Sequence, residues 1–222
     1  MAFVGKHKTP KQIKLLAQQQ ANRTNWIDGA MVSFSGLLYF NLIELSLISV
    51  SDLITKKGRI NKSFVMPQYI SGKEKGRLVN IGSKGFLIDV IHHVIDYRIT
   101  NGLGVIKNTG MYCNLDPETE FFLNGKGEPF NIKKNASNNY QPQALRRHIK
   151  NLNIGEGIDI RSLNESFIAN VWNASRNAGV GDVDILKSLQ KLTGLSTNTL
   201  RPKVIRRDKS VLETVKDLYA NL

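Results

Sequence analysis

The sequence predicts a mostly helical α+β domain with a small antiparallel β-hairpin sheet, on three observations. Apolar residues recur at helical spacing, as at positions 86, 87, 90, 91, 94, 95 and 99. Two short runs in near-alternation, Ile60 to Met66 and Leu78 to Ile81, flank a Gly-containing basic turn. No internal repeat or low-complexity tract divides the 222 residues, so one domain over 1–222, with a core of about 9–210, is the economical reading.

Thr9 followed by Pro10 opens the first helix, 9–24, as N-cap and first helical residue, with Ile13, Leu15 and Leu16 as its apolar side. From Trp26 to Leu53 the chain is strongly apolar and reads as one or two core helices ending near Ser51 and Asp52. Its stretch AMVSFSGLLYFNLIELSLISV approaches the length of a membrane span, but Asn41 and Glu44 lie inside it and favour burial in a protein core. A turn at Lys57-Gly58 leads into a strand carrying Ile60, Phe64 and Met66, and Leu78, Val79 and Ile81 form the second strand. Residues 86–99 make a helix. Residues 101–140, rich in Gly, Asn and Pro, read as loop with short strand pieces such as EFFL. A short basic helix over 141–152 comes next, then an amphipathic helix over 163–179 stopped by Gly179. Asp182 or Asp184 caps the following helix, which turns at Gly194 into another starting at Ser196. A polar tail helix of about 209–222 closes the chain.

Composition narrows the function. The 31 Lys and Arg outweigh 18 Asp and Glu, a net charge of +13 that concentrates polyanions and makes nucleic acid the first partner to consider. The single cysteine, Cys113, excludes an intramolecular disulfide or a multi-cysteine zinc site and reads as a buried inert thiol. The N-terminus, MAFVGKHKTPKQIK, lacks the apolar run of a signal peptide, so a cytoplasmic protein with no membrane contact is expected. No phosphate-binding loop G-x-x-x-x-G-K-[ST] occurs, and Gly102-Leu103-Gly104 lacks a strand–turn–helix context. His92 and His93 project about 100° apart on a helix. With Asp89 and Asp96 at helical spacing they read as a solvated face, and neither metal nor cofactor is expected. Sparse acidic clusters argue against a two-metal nuclease. The segment ILKSLQKLTGLSTNTLRPKVIRR fits a helix-turn-helix, and equally two ordinary core helices.

Several stretches carry a more specific pattern. FNLIELSLISVSDL (40–53) holds Glu44-Leu45 and ends in Asp52-Leu53, and KGRINKSFVMPQYISGKEKGRLVNIG holds a basic turn followed by Arg77, Val79 and Ile81. FFLNGKGEPF precedes the basic helix, RSLNESFIAN (161–170) has Leu163, Ser166 and Phe167, and LTGLSTNTLRPKVI has Gly194. In this order they resemble the conserved boxes of the tyrosine recombinases, the phage-integrase family, over roughly residues 9–210. The resemblance implies a catalytic-domain-like helical bundle whose hairpin turn bears an active-site lysine, with Lys73 and Lys75 as candidates. The pocket positions it implies are Asn41, Lys73, Arg161, Asn164, Leu195 and Val204. Asn41 and Asn164 stand where that family has its two arginines, Arg161 and Leu195 where it has histidines, and Val204 where it has the nucleophilic tyrosine. The family's separate N-terminal core-binding domain is expected to be absent.

Arginine clamps a scissile phosphate bidentately and stays cationic, whereas asparagine keeps one donor amide and no charge. Losing one such donor costs about 10²–10³ in rate. No tyrosine lies between Tyr140 and Tyr219. The expectation is therefore no enzyme but a cleavage-deficient DNA-binding protein, regulatory or accessory in recombination or integration of a mobile element. Its partner would be double-stranded DNA, touched by Lys73, Lys75 and Arg77 on the hairpin, Lys133 and Lys134 on the loop, and Arg146, Arg147 and Lys150 on the basic helix. Arg161, Arg201, Lys203, Arg206 and Arg207 would add further phosphate contacts. Asn139, Gln141 and Gln143 carry amides suited to adenine edges. The tail helix is the candidate homo-oligomer contact. Two alternatives stand beside this: an active divergent recombinase using Tyr219, and a helix-turn-helix regulator unrelated to integrases.

Overall fold

Thr9 and Gln12 trade side-chain-to-backbone hydrogen bonds, a capping box that starts the first helix. The computed structural model describes residues 7–67, 70, 76–82, 85–106, 110–130, 132–134 and 140–204, and in it this helix, α1, runs Pro10–Arg23. α1 packs on α2 (Trp26–Leu38) so closely that a Cβ at Gly29 would lie 2.6 Å from the Ala17 carbonyl oxygen. Only glycine permits that approach.

The long apolar segment is broken into three helices rather than one or two: α2, α3 (Leu42–Leu47) and α4 (Val50–Leu53). The break begins at Tyr39, whose left-handed φ of 64° ends α2 while the Phe40 N–H donates back to the Phe34 carbonyl at 3.1 Å. Asn41 then caps α3, its Oδ1 accepting from the Ile43 and Glu44 N–H groups while the Glu44 carboxylate accepts from the Asn41 N–H. Ser49 and Asp52 repeat the device for α4.

β1 (Ser63–Met66) pairs antiparallel with β2 (Arg77–Asn80), Phe64 opposite Val79 and Met66 opposite Arg77. α5 (Phe86–Thr100) buries Val90, Ile91, Val94 and Ile95. Its Arg98 is fully buried and donates to the carbonyls of Leu103, Glu120 and Phe121, anchoring the following loop to the helix. Burial pulls that guanidinium down to about 10. Phe121 and Phe122 then pack round Phe34 in the main core. β3 (Lys133–Lys134) and β4 (Tyr140–Gln141) form a second short ladder.

α6 (Gln143–Leu152) turns Leu145, Ile149 and Leu152 inward. α7 (Ile160–Asn177) begins three residues before the expected start, because Asp159 and Ser162 form a capping box ahead of it. α8 (Asp182–Thr193) is preceded by Gly181 at the cap, and Asp182 and Asp184 sit instead in its first turn, facing the positive end of the helix. Gly194, at φ 65°, ends α8, and Ser196 caps α9, residues 197–204. The expected tail helix, with Tyr219, lies outside the described residues.

Two apolar cores result. The larger gathers α1 to α6, the hairpin and the head of α7; the smaller joins Ile168 and Trp172 of α7, Ile185 and Leu189 of α8, and Leu200 and Val204 of α9. Among the described residues no helix is long and apolar enough to cross a membrane.

Candidate nucleic-acid interface

Where the two cores meet, the head of α3, one face of α7 and the end of α9 enclose a cavity of about 380 Å³. Asn41 enters it from α3, Lys203 from α9, and Arg161, Asn164, Glu165 and Ile168 from α7. The α7 spacing of three, four and seven residues puts those four side chains on one helical face. Tyr39, Tyr140, Gln141 and Arg146 complete the walls.

Most of the polar groups already have work inside the protein. The Asn41 side chain is the α3 cap. The Asn164 amide lies 2.8 Å from the Ser35 carbonyl oxygen and 3.1 Å from that of Phe40, with its nitrogen as donor, and so holds α7 against the end of α2. Glu165 Oε1 accepts from Arg161 Nε at 3.2 Å and from Lys203 Nζ at 3.4 Å. Tyr39 rests on Phe167, ring centroids 5.9 Å apart. Burial, and then the neighbouring Glu44 carboxylate, push its phenol up to about 12; Arg77 pulls the other way, and Glu165 adds the smallest push.

The expected pocket positions are only partly brought together. Asn41, Arg161 and Asn164 share the cavity. Leu195 and Val204 do not: Val204 is buried in the smaller core and Leu195 packs against it, apolar side chains joining apolar neighbours. Lys73, with Lys75, Asn139, Arg206 and Arg207, lies outside the described residues. Lys133 and Lys134 form β3, beside Tyr140 and Gln141.

Arg77 requires a correction. It was expected to face DNA, yet it is 1% exposed and forms a two-pronged ion pair with Glu44, Nε to Oε1 at 2.6 Å and Nη2 to Oε2 at 3.0 Å. Its remaining donors reach the carbonyls of Leu38, Tyr39 and Leu192, and Phe40 lies under its guanidinium. A guanidinium so enclosed has no N–H left for a phosphate.

Arg146, Arg147 and Lys150 lie on the exposed face of α6, and Arg201 is exposed on α9. Among the described residues none of these four has an acidic partner. α6 itself is pinned by His148, whose Nε2 lies 2.7 Å from Oδ1 of the buried Asp28 on α2. The Asp28–His148 pair and the Lys203–Glu165 contact escaped sequence reasoning, since no local spacing links residues so far apart in the chain. Asp89, His92 and Asp96 are exposed on α5, and among the described residues no group of three or more His, Cys, Asp or Glu is arranged to hold a metal.

Among solved structures, the chain is similar to a crystal structure of XerA recombinase, with a TM-score of 0.58 at 15% sequence identity; the match covers 95% of this chain and 64% of that one. The chain thus spans less than two thirds of the length of that protein. At this identity the likeness establishes the fold, a recombinase catalytic-like helical bundle with a small antiparallel hairpin. No protein-family model matches the sequence, and no curated protein does.

Proposed function

We propose that this chain binds double-stranded DNA through the cation-bearing face around the cavity without cleaving it, as a regulatory or accessory factor in recombination or integration. One observation carries the reading: in a recombinase-like fold, Asn41, Arg161 and Asn164 converge on one cavity, with both amides engaged in holding helices together. Affinity for duplex DNA comes chiefly from Lys and Arg meeting phosphates, and Arg146, Arg147, Lys150 and Arg201 stand exposed for that purpose. Cleavage asks for more. Two cationic forks would have to stabilise the pentacoordinate phosphate, and neutral amides committed to carbonyls and N–H groups do not supply them. Nor is Tyr39 tuned as a nucleophile: burial, and then the Glu44 carboxylate, disfavour its phenolate.

Gel shifts on a random-sequence duplex across a salt titration test the binding. Log affinity is expected to fall linearly with log salt, by about 0.9 for each phosphate neutralised. A flat, salt-independent response overturns the proposal. On a nicked suicide duplex no covalent protein–DNA adduct is expected, and an adduct lost in Tyr219→Phe would establish the divergent-recombinase reading instead.

A further inference from the structure

We infer that Glu165 is a built-in competitor of DNA, a carboxylate seated where a phosphate would otherwise meet the cavity's cations. The inference rests on the DNA-binding reading above and says how that binding is held in check. One oxygen, Oε1, accepts from both Arg161 Nε (3.2 Å) and Lys203 Nζ (3.4 Å), drawing cations from α7 and α9 onto a single anionic point inside the cavity. Carboxylate and phosphate oxygens attract the same guanidinium and ammonium donors, so the two anions exclude each other at this point.

The lock is weak by construction. The Arg161 side chain is 83% exposed, and those of Lys203 and Glu165 are 31% and 30% exposed. Ion pairs so open to solvent hold loosely and are screened by salt, which leaves them able to exchange for an incoming phosphate. The exchange is also selective. A single small anion gives little in return for displacing Glu165, whereas a duplex brings further phosphates to Arg146, Arg147 and Lys150 at the same time. Glu165 therefore raises the threshold for weak anions more than for DNA. Its negative charge is felt within the cavity, where it contributes to holding the Tyr39 phenol in its neutral form.

The experiment compares the wild-type chain with Glu165→Gln, Glu165→Ala and a charge control, Glu118→Gln, whose residue is exposed and does not line the cavity. Binding to a random-sequence duplex is measured across a salt series. Both Glu165 variants are expected to bind about 3- to 10-fold more tightly, with a salt slope steeper by about 0.9 to 1.8, one increment for each cation released to a phosphate. Glu118→Gln, which adds the same unit of charge elsewhere, is expected to change affinity less than about 2-fold by that same accounting. In an Arg161→Ala background the gain from Glu165→Gln should shrink, because one of the cations it holds is gone. A gain in Glu118→Gln equal to that of the Glu165 variants, or no gain in either Glu165 variant while the wild type binds, overturns the inference and leaves the proposed function standing. An absence of salt-dependent affinity in all of the proteins overturns the proposed function itself.

Discussion

Arg77 and Glu44 form a buried pair in which every charged atom is met. The guanidinium carries five N–H donors, and Glu44, Leu38, Tyr39 and Leu192 take all of them. The same carboxylate also accepts the Asn41 N–H at 2.9 Å. Removing one partner of such a pair strands the other without water, so Glu44→Ala should lose about 3–5 kcal/mol of stability in urea unfolding. Arg77→Lys should be poorly tolerated too, since an ammonium cannot reproduce the planar fork. Tyr39 gives a second test at this scale. Its folded value, about 12, lies above the ordinary 10.0, so the folded protein holds this proton more tightly than the unfolded chain. The associated stability is complete below pH 10 and is lost as the pH rises towards 12. Tyr39→Phe should remove that alkaline slope, and the tyrosinate absorbance difference between wild type and variant should have its midpoint near 12 rather than 10.

Helix ends, more than helix middles, decide the shape of the site. Asn41→Ala should cost about 1 kcal/mol through loss of the α3 cap, and Asn41→Asp should retain most of it, as read by thermal unfolding. On α6 the charges act independently of the fold. Arg146→Ala, Arg147→Ala and Lys150→Ala should each lower the salt slope of DNA binding by about 0.9 per lost phosphate contact. Their stabilities should stay within about 0.5 kcal/mol of wild type, as for other exposed positions. The periodic elements were readable from sequence: α1 with its Thr9–Pro10 start, the hairpin strands, α5 and α6 all fall close to where apolar spacing put them. The division of residues 26–53 was not. It depends on Tyr39 taking a left-handed conformation that tyrosine rarely adopts, and packing imposes that choice where composition gives no sign of it. Arg77 misled for a related reason: a cation beside a basic turn looks solvated until its distant carboxylate partner on α3 is known.

Across the whole molecule, Arg77 ties the end of α2 to α8 through Leu38 and Leu192, and Asn164 ties α7, which runs on into the smaller core, to Ser35 and Phe40. The two tryptophans report on the two cores separately, Trp26 packed against the larger core and Trp172 buried in the smaller. Fluorescence of Trp26→Phe and Trp172→Phe should therefore give coincident unfolding transitions, while two separated midpoints would mean the cores melt independently. The meeting of Asn41, Arg161 and Asn164 in one cavity followed from the order of short boxes along the chain. The filling of the Leu195 and Val204 positions by a second core did not, because apolar residues there fit a wall and a core equally well. The amides carry one more consequence. An engineer wishing to install a phosphate clamp could not simply write arginine at 41 and 164: the first change would uncap α3, and the second would push a long charged fork into a slot sized for an amide, against two carbonyls. A clamp at these positions would mean rebuilding the joint between α2, α3 and α7.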